Sequence, residues 1–250
     1  KENFEMRLLA LALVVGLAVA QCPSTLEVLT DFYDYLDGPN WSDAASNGWT
    51  IGNDYCQWTG IVCNKDGGVV VLDRQAKDLS GILPPNLECL TELKSLQLQN
   101  NVIIGPFPEE ICELVPLKYL QIQNNQMTGP LPDCICDLVH LQYFYYDRNF
   151  FDGPIPECVA EMEFLREWHG YCNFHTEFIP EGFLALQYLE ELHLACNEFE
   201  EPCPTAFTEQ EEFLFTCTGI DCELVCPQPG LQCPPEILLP GCPPYYPLIV

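Results

Sequence analysis

Basic residues are scarce in this 250-residue chain, which has 9 Lys and Arg residues against 37 Asp and Glu residues. The formal net charge of −28 repels phosphate backbones and anionic lipid headgroups. Nucleic acid and membrane surfaces are therefore excluded as partners, and a partner with a basic or neutral face is favoured.

A hydrophobic run long enough to span a membrane is also missing. The longest apolar stretch, Leu8 to Ala20, is shorter than the roughly 20 residues that a bilayer crossing needs. It follows Met6-Arg7 and ends in A-x-A before Gln21, the pattern of a secretory signal peptide. We therefore predict that 1–20 is a signal peptide and that the mature chain is extracellular or at the cell surface. Residues 1–5 are interpreted as sequence upstream of the true start at Met6.

Signatures of catalysis are absent too. No residues suggest a nucleophile, base and orienting group, and Gly67-Gly68 is a turn rather than a phosphate-binding loop. Carboxylates are so abundant that a pair of them carries little information. The sequence thus predicts no enzymatic activity and no cofactor.

What the chain does contain is a repeat of 24 residues. Glycine, proline and asparagine each recur at this step, with apolar residues locked to the same frame. The recurring positions are Gly81, Gly105, Gly129 and Gly153; Pro84, Pro108, Pro132, Pro156, Pro180 and Pro204; and Asn101, Asn125, Asn149, Asn173 and Asn197. Six tandem units without insertion cannot be chance.

Each unit has a physical interpretation. Its L-x-x-L-x-L segment predicts a short strand with inward apolar side chains. The Asn side chains are expected to form hydrogen bonds with backbone groups, one above another in successive coils, as a ladder. The segment Gly-x-Φ-Pro, where Φ is an apolar residue, turns the chain. A second apolar pair, such as Leu87 and Leu90, packs the convex side. No unit can bury its own core, so neighbouring units must stack.

The unit L-x-x-L-x-L-x-x-N-x-Φ-x-G-x-Φ-P resembles the plant-type, 24-residue leucine-rich repeat. The segment from Cys56 to Cys63, with Trp58 and Gly60, is similar to the end of that family's N-terminal cap. The resemblance covers about 22–207. It implies an α/β solenoid, a right-handed coil with a parallel concave β-sheet, short 3-10 or irregular convex segments, disulfide-bonded caps and ligand binding on the concave face.

The resemblance sets the domain boundaries. We expect an N-terminal cap over 21–68, six repeats over 69–207, and a Cys- and Pro-rich C-terminal cap and tail over 208–250. In the cap, Ser24 and Glu27 form a capping-box signature for a helix over 25–36. Repeat fidelity then decays, since Gly170 stands where an inward apolar residue belongs.

The 16 cysteines all follow the expected signal peptide, which argues for disulfides. Because residues 24 apart lie side by side on successive coils, the step predicts the pairs Cys112/Cys136, Cys134/Cys158 and Cys172/Cys196. Cys56/Cys63 would close the cap. The other cysteines stay unassigned: Cys22, Cys89, Cys203, Cys217, Cys222, Cys226, Cys233 and Cys242. Zinc is disfavoured because paired C-x-x-C spacings are absent. Asn40 of Asn40-Trp41-Ser42 is the expected N-glycosylation site.

Positions between the core leucines of each strand point to solvent on the concave sheet. Tyrosines there offer large contact areas with polar tips, which suits recognition. The alternative is that these residues are merely good sheet formers. The candidate ligand-binding residues are Tyr119, Gln121, Gln123, Tyr143, Tyr145, Asp147, Glu167, His169, Tyr171, Glu191 and His193.

Four of these residues, Glu167, His169, Glu191 and His193, form a two-by-two patch on neighbouring strands. Such a patch could bind a divalent metal or titrate near pH 6. A solvated acidic surface with two ordinary histidines is the favoured interpretation, so no metal site is assigned.

The leading functional hypothesis is a secreted, monomeric recognition protein that binds a protein or glycan, with inhibition of an extracellular hydrolase as one form of it. The residues resemble polygalacturonase-inhibiting proteins, although the single Cys56 and the shorter array depart from that group. The alternatives are the ectodomain of a truncated leucine-rich-repeat receptor, or a structural protein of a cell wall or matrix.

Overall fold

The computed structural model describes residues 22–49, 52 and 54–199, and the backbone alone of 214–216. The signal peptide expected over 1–20 lies outside the described residues, as does most of the C-terminal region expected over 208–250. Within the described part, the chain is the expected leucine-rich-repeat solenoid. No helix there combines the length and apolar character that a bilayer crossing requires.

The N-terminal cap starts with helix α1, Thr25–Tyr35. Its capping box forms as expected: the Glu27 N–H donates to the Ser24 Oγ at 3.3 Å, and the Ser24 N–H donates to the Glu27 carboxylate at 2.7 Å. Val28, Leu29 and Phe32 are buried on the face that packs against the array. The cap therefore covers the first coil with apolar surface.

One parallel sheet, the concave sheet, runs through the array. Its first strand pairs antiparallel with the second, and every later pairing is parallel. The strands are β1 Ile61–Cys63, β2 Val69–Asp73, β4 Ser95–Gln97, β6 Tyr119–Gln121, β8 Tyr143–Tyr145, β10 Glu167–His169, β12 Glu191–His193 and β13 Leu214–Thr216. From β2 to β12 the register steps by 24 residues, as in Leu96 opposite Leu120. The stacking expected from the repeat is confirmed.

The last strand, β13, extends the sheet beyond the six predicted repeats. Glu191 lies opposite Leu214, a step of 23 residues instead of 24. The region that the sequence assigned to the C-terminal cap therefore adds a seventh repeat strand, which is the eighth strand of the sheet.

A second sheet of five short strands was not predicted. It follows the asparagines, where the sequence suggested only a turn. Its strands are β3 Ser80–Gly81, β5 Val102–Gly105, β7 Gln126–Pro130, β9 Phe150–Gly153 and β11 Phe174–His175. Gly105 and Gly153 end β5 and β9, and Gly129 is the next-to-last residue of β7; all three have positive φ, between 67° and 87°, a region that favours glycine. The same 24-residue step thus orders a second row of backbone pairs.

The asparagine ladder forms as expected. In each rung the side-chain amide donates to carbonyls of its own coil and of the preceding coil, and its oxygen accepts a backbone N–H. Asn149 donates to the carbonyls of Ile122 and Tyr146 at 2.9 and 3.0 Å and accepts from the Met127 N–H at 3.0 Å. The ladder therefore joins neighbouring coils at a point that water does not reach.

The convex side consists of short 3-10 helices, again as expected. They are Leu87–Cys89, Glu109–Glu113, Asp133–Asp137, Glu157–Glu161 and Glu181–Ala185. The unusual Gly170 has a packing reason, because a Cβ there would lie 2.2 Å from the Oη of Tyr146. Tyr146 is fully buried and accepts a hydrogen bond from the Trp168 Nε1 at 3.1 Å. The space left by one missing side chain is filled by a large neighbour.

The Cys56–Cys63 disulfide of the cap is confirmed, and Cys22 pairs with Cys89. The pairs Cys112/Cys136 and Cys134/Cys158 are wrong: the bonds are Cys112–Cys134 and Cys136–Cys158, each over 22 residues. Side chains at equivalent positions of stacked coils run parallel, so their Cβ atoms stay about 4.8 Å apart, beyond the roughly 3.8 Å of a disulfide.

The 3-10 geometry explains the observed pairing. With three residues per turn, residues two apart leave the helix on different sides. Cys134 thus reaches the preceding coil, and Cys136 reaches the following coil. The Cys172/Cys196 pair is also wrong, because Cys172 is disulfide-bonded but not to Cys196. Their coils nonetheless stack in register, since the Cys172 N–H donates to the Ala195 carbonyl at 2.9 Å. The unassigned cysteines from Cys203 onward lie outside the described residues.

Candidate functional site on the concave face

The concave sheet brings the candidate residues of its later strands into one continuous surface. Glu167 lies opposite Glu191, and His169 lies between Tyr145 and His193 in the register of β8, β10 and β12. Tyr119 is 39% exposed, and its neighbours on the later strands are half-buried. Alternate residues such as Trp168 and Leu192 are fully buried. The predicted division between core and surface is therefore correct for these strands.

Ring stacking organises this surface. Tyr119 and Tyr143 stack with ring centroids 4.8 Å apart and planes within 3°. Tyr145 stacks on His169 at 4.4 Å, and His169 contacts His193 at 4.3 Å. These contacts, with an edge contact of 6.5 Å between Tyr143 and Tyr145, form an unbroken band of five rings, which we call the aromatic band.

A second group lies at the ends of the same strands. Arg148 donates to the Asp147 carboxylate at 3.1 Å and to the Tyr171 hydroxyl at 2.6 Å, and its guanidinium stacks over the Tyr171 ring at 4.8 Å. Burial and the nearby Asp147 carboxylate raise the pKa of Tyr171 to about 12. Burial also raises the pKa of Asp147 to about 6, against the opposing effects of Tyr171 and Arg148.

These groups enclose a shallow pocket of about 460 Å³. Its lining is polar and draws on four successive coils. The lining residues are Asn100, Gln123, Asn124, Tyr145, Asp147, Arg148, His169 and Tyr171. Convergent polar groups beside exposed aromatic rings are what a ligand-binding surface requires.

Two sequence expectations need correction here. Asp147 was expected to face solvent, but it is only 3% exposed, because Arg148 and Tyr171 cover it. Titration near pH 6 is one possibility that the sequence leaves open for the patch of Glu167, His169, Glu191 and His193, and for His169 the structure disfavours it. Burial, followed by repulsion from His193, lowers its pKa to about 4, so its ring is neutral at pH 6.

Arg148, Asn100 and Asn124 line the pocket and were missed. Each of the three lies three residues after the end of a concave strand and has the left-handed conformation, with φ between 52° and 60°. The side chains at this corner turn toward the pocket, and Asn124 donates to the Asn100 side chain at 2.7 Å. The signal was available, since these positions also recur every 24 residues.

Carboxylate contacts complete the site. The Tyr145 hydroxyl donates to Glu167, and the Nε2 atoms of His169 and His193 each lie 3.2 Å from one oxygen of Glu191. Burial and the hydrogen bond to Glu167 raise the pKa of Tyr145. Gln121 lies half-buried beside this group, in register with Tyr145. Every candidate residue therefore belongs to one surface.

Outside this surface, the expected glycosylation site fits its role. Asn40 and Ser42 are exposed, while Trp41 between them is buried. Glycosylation itself stays a prediction.

Comparison with known proteins shows what these features are similar to. The leucine-rich repeat model matches residues 92–114 and 116–138. Phytosulfokine receptor 1 of Arabidopsis thaliana is 37% identical over 93 residues, which is 36% of this chain and 9% of the receptor. A leucine-rich repeat receptor-like serine/threonine-protein kinase of the same plant is 36% identical over 92 residues, which is 34% of this chain and 9% of the kinase. The chain thus spans less than a tenth of these relatives.

Solved structures give the same result. Pollen receptor kinase 3 is 29% identical with a TM-score of 0.61, covering 68% of this chain and 83% of that one. The Arabidopsis receptor kinase HAESA, in complex with the peptide hormone IDA and the co-receptor SERK1, is 26% identical with a TM-score of 0.66. That match covers 76% of this chain and 32% of that one. With its 24-residue repeats, capped solenoid and disulfides, this chain is a leucine-rich-repeat solenoid that is similar to plant extracellular leucine-rich-repeat proteins.

Proposed function

We propose that this chain is a secreted recognition protein that binds an extracellular protein or glycan on its concave face. The aromatic band beside the polar pocket carries the proposal. Tyr119, Tyr143 and Tyr145 offer stacked rings to sugar faces or apolar side chains. Arg148 and the exposed Asn124 offer directional polar contacts from the pocket. The excess of carboxylates favours a ligand that is neutral or basic.

The rings are already held in place, which supports binding. Tyr145 is fixed between Glu167 and His169, and Tyr171 is fixed by Arg148. Side chains that are ordered before a ligand arrives lose less entropy when it binds. Similarity to HAESA, which was solved with a peptide hormone, makes an extended peptide a reasonable first ligand class to test.

The test is a triple variant, Tyr143→Ala, Tyr145→Ala and Tyr171→Ala. Parent and variant are screened against an array of cell-wall oligosaccharides and a library of synthetic extracellular peptides. We expect the parent to bind at least one class, and the variant to bind it at least about tenfold more weakly, since aromatic anchors dominate such interfaces. A matched control is Phe164→Ala with Tyr188→Ala, a stacked and exposed pair that lies before β10 and β12. Equal binding by parent and triple variant would remove the proposed surface.

Inhibition of an extracellular hydrolase is one form of such binding. A polygalacturonase assay with and without the purified chain tests it directly. The similarity to receptor kinases favours a second candidate, the ectodomain of a receptor. Sequencing the transcript past Val250 separates the two, because a receptor would continue into about 20 apolar residues and a kinase domain.

A further inference from the structure

His169 and His193 are direct neighbours on adjacent strands of the concave sheet, opposite each other in the register of β10 and β12. Glu191 stands two residues before His193 and therefore on the same face of the sheet. The Nε2 atoms of both histidines lie 3.2 Å from one Glu191 oxygen, and one ligand atom from each of the three residues lies within 4.8 Å of the other two.

From this geometry we propose that His169, His193 and Glu191 form a binding site for a first-row transition-metal ion such as Zn²⁺. Zn²⁺ binds imidazole nitrogen and carboxylate oxygen at about 2.0–2.2 Å, which places neighbouring ligand atoms roughly 3–4 Å apart. Both distances from a histidine nitrogen to the Glu191 oxygen already have that spacing, so a metal ion could enter with small side-chain rotations. Two imidazoles with one carboxylate select Zn²⁺, Cu²⁺ or Ni²⁺ over Ca²⁺ and Mg²⁺, which prefer oxygen ligands alone.

The surroundings of the cluster suit a bound cation. The three side chains are between 18% and 36% exposed, so the site opens to solvent while its ligands are held by the sheet. Glu167 lies in register with Glu191 and has an oxygen 3.7 Å from the His169 Nε2. This second carboxylate adds negative charge beside the site. Three protein ligands leave at least one coordination position facing the concave groove.

The competing explanation is that hydrogen bonds, and not a metal ion, hold these three side chains together. Each neutral imidazole would then donate an Nε2–H to Glu191, and the cluster would be a hydrogen-bonded group of the surface. Metal binding by the chain alone separates the two explanations, and it needs no knowledge of the ligand proposed above. A failure of either proposal therefore leaves the other standing.

The experiment is calorimetric titration of the purified, oxidised, EDTA-treated chain with ZnCl₂ at neutral pH in excess CaCl₂. We expect one saturable Zn²⁺ site, because calcium occupies the diffuse acidic surface but does not compete for imidazoles. Loss of a ligand, in His193→Gln or Glu191→Gln, should weaken binding at least about tenfold, since even the loss of a supporting residue costs 10–100-fold. His140→Gln, which changes a histidine beside Phe164 and outside the cluster, is the matched control and should bind as the parent does.

Circular dichroism of each variant checks that the fold is kept. Electron paramagnetic resonance of the Cu²⁺-loaded parent provides a second readout, since coordination by two imidazoles gives nitrogen hyperfine structure. The absence of saturable Zn²⁺ binding in the parent, or equal binding in His193→Gln and Glu191→Gln, would overturn the proposal.

Discussion

At the scale of single residues, burial determines which side chains of the concave face keep the solvent exposure and the pKa that are usual for their residue type. Tyr119 is exposed, whereas Asp147, two residues after the end of β8, is almost fully covered. Alternation along a strand is readable from sequence, and it correctly divides Leu120 and Trp168 from their outward neighbours. Which side chains a long neighbour such as Arg148 covers depends on tertiary structure. The alternation of residues along a strand does not predict it.

Asp147 should make stability depend on pH in an unusual direction. Its carboxyl ionises near pH 4 in the unfolded chain, but burial holds the proton up to about pH 6 in the folded chain. The folded state thus binds more protons between these values, so the free energy of unfolding falls as pH rises from about 4 to about 6. The loss attributable to this residue is at most about 3 kcal/mol.

Urea titrations of the parent and of Asp147→Asn at several pH values measure this effect. Other carboxyl groups titrate in both proteins, so the difference between the two curves isolates Asp147. We expect the parent to lose stability relative to the variant as pH rises from 4 to 6, and the difference to be constant above that range. A difference that does not change with pH would show that Asp147 ionises normally.

At the scale of elements, a strand or turn is held mainly by the coils on either side of it. The strand register and the asparagine ladder follow from the 24-residue step, because both depend on backbone groups that repeat with the chain. The contact between Arg74 and Asp43 of the cap could not be predicted from the 24-residue step. Arg74 is fully buried, donates to the Asp43 carboxylate at 2.5 Å and lies over the ring of Trp41, yet no repeat marks it.

Removing one rung of the ladder should be costly. Asn149→Ala would leave the Met127 N–H buried without its partner. The Ile122 and Tyr146 carbonyls would each lose one of two hydrogen bonds, because Asn125 and Asn173 also donate to them. A buried N–H without a partner costs about 1–3 kcal/mol and each lost hydrogen bond about 1 kcal/mol, so we expect the free energy of unfolding to fall by at least about 2 kcal/mol. Urea denaturation followed by circular dichroism measures it. Gln126→Ala, an exposed change in β7 of the same coil, should have a much smaller effect, and equal losses in the two variants would contradict the role of the ladder.

At the scale of the whole molecule, disulfides tie the convex side of three successive coils. The sequence correctly indicated that cysteines in neighbouring repeats are joined, and it correctly closed the cap with Cys56–Cys63. The partner within each neighbouring repeat was wrong, because the 24-residue step describes a flat sheet and the cysteines lie on 3-10 helices. Each disulfide joins cysteines 22 residues apart instead of 24, and the stacking of the coils is the same as expected.

The pairing can be decided with one variant. Cys134→Ser should release the thiol of Cys112 if the bond is Cys112–Cys134, but the thiol of Cys158 if the bond is Cys134–Cys158. Alkylation of the folded variant, followed by reduction, a second and heavier alkylating label, and tryptic digestion, locates that thiol. The first label should appear on the peptide 95–118 and not on 149–166, which the sequence separates at Lys118 and Arg148. Labelling of 149–166 would restore the pairing expected from the 24-residue step.

Successive coils are thus held at a fixed spacing on both sides of the solenoid. Disulfides join them on the convex side, and the backbone hydrogen bonds of the sheet join them on the concave side. A curved stack that is clamped on both edges can neither flatten nor tighten its arc. The groove between Tyr119 and Tyr171 should therefore be rigid. It should bind ligands whose shape already fits its curvature, and it should not adapt its shape to other ligands.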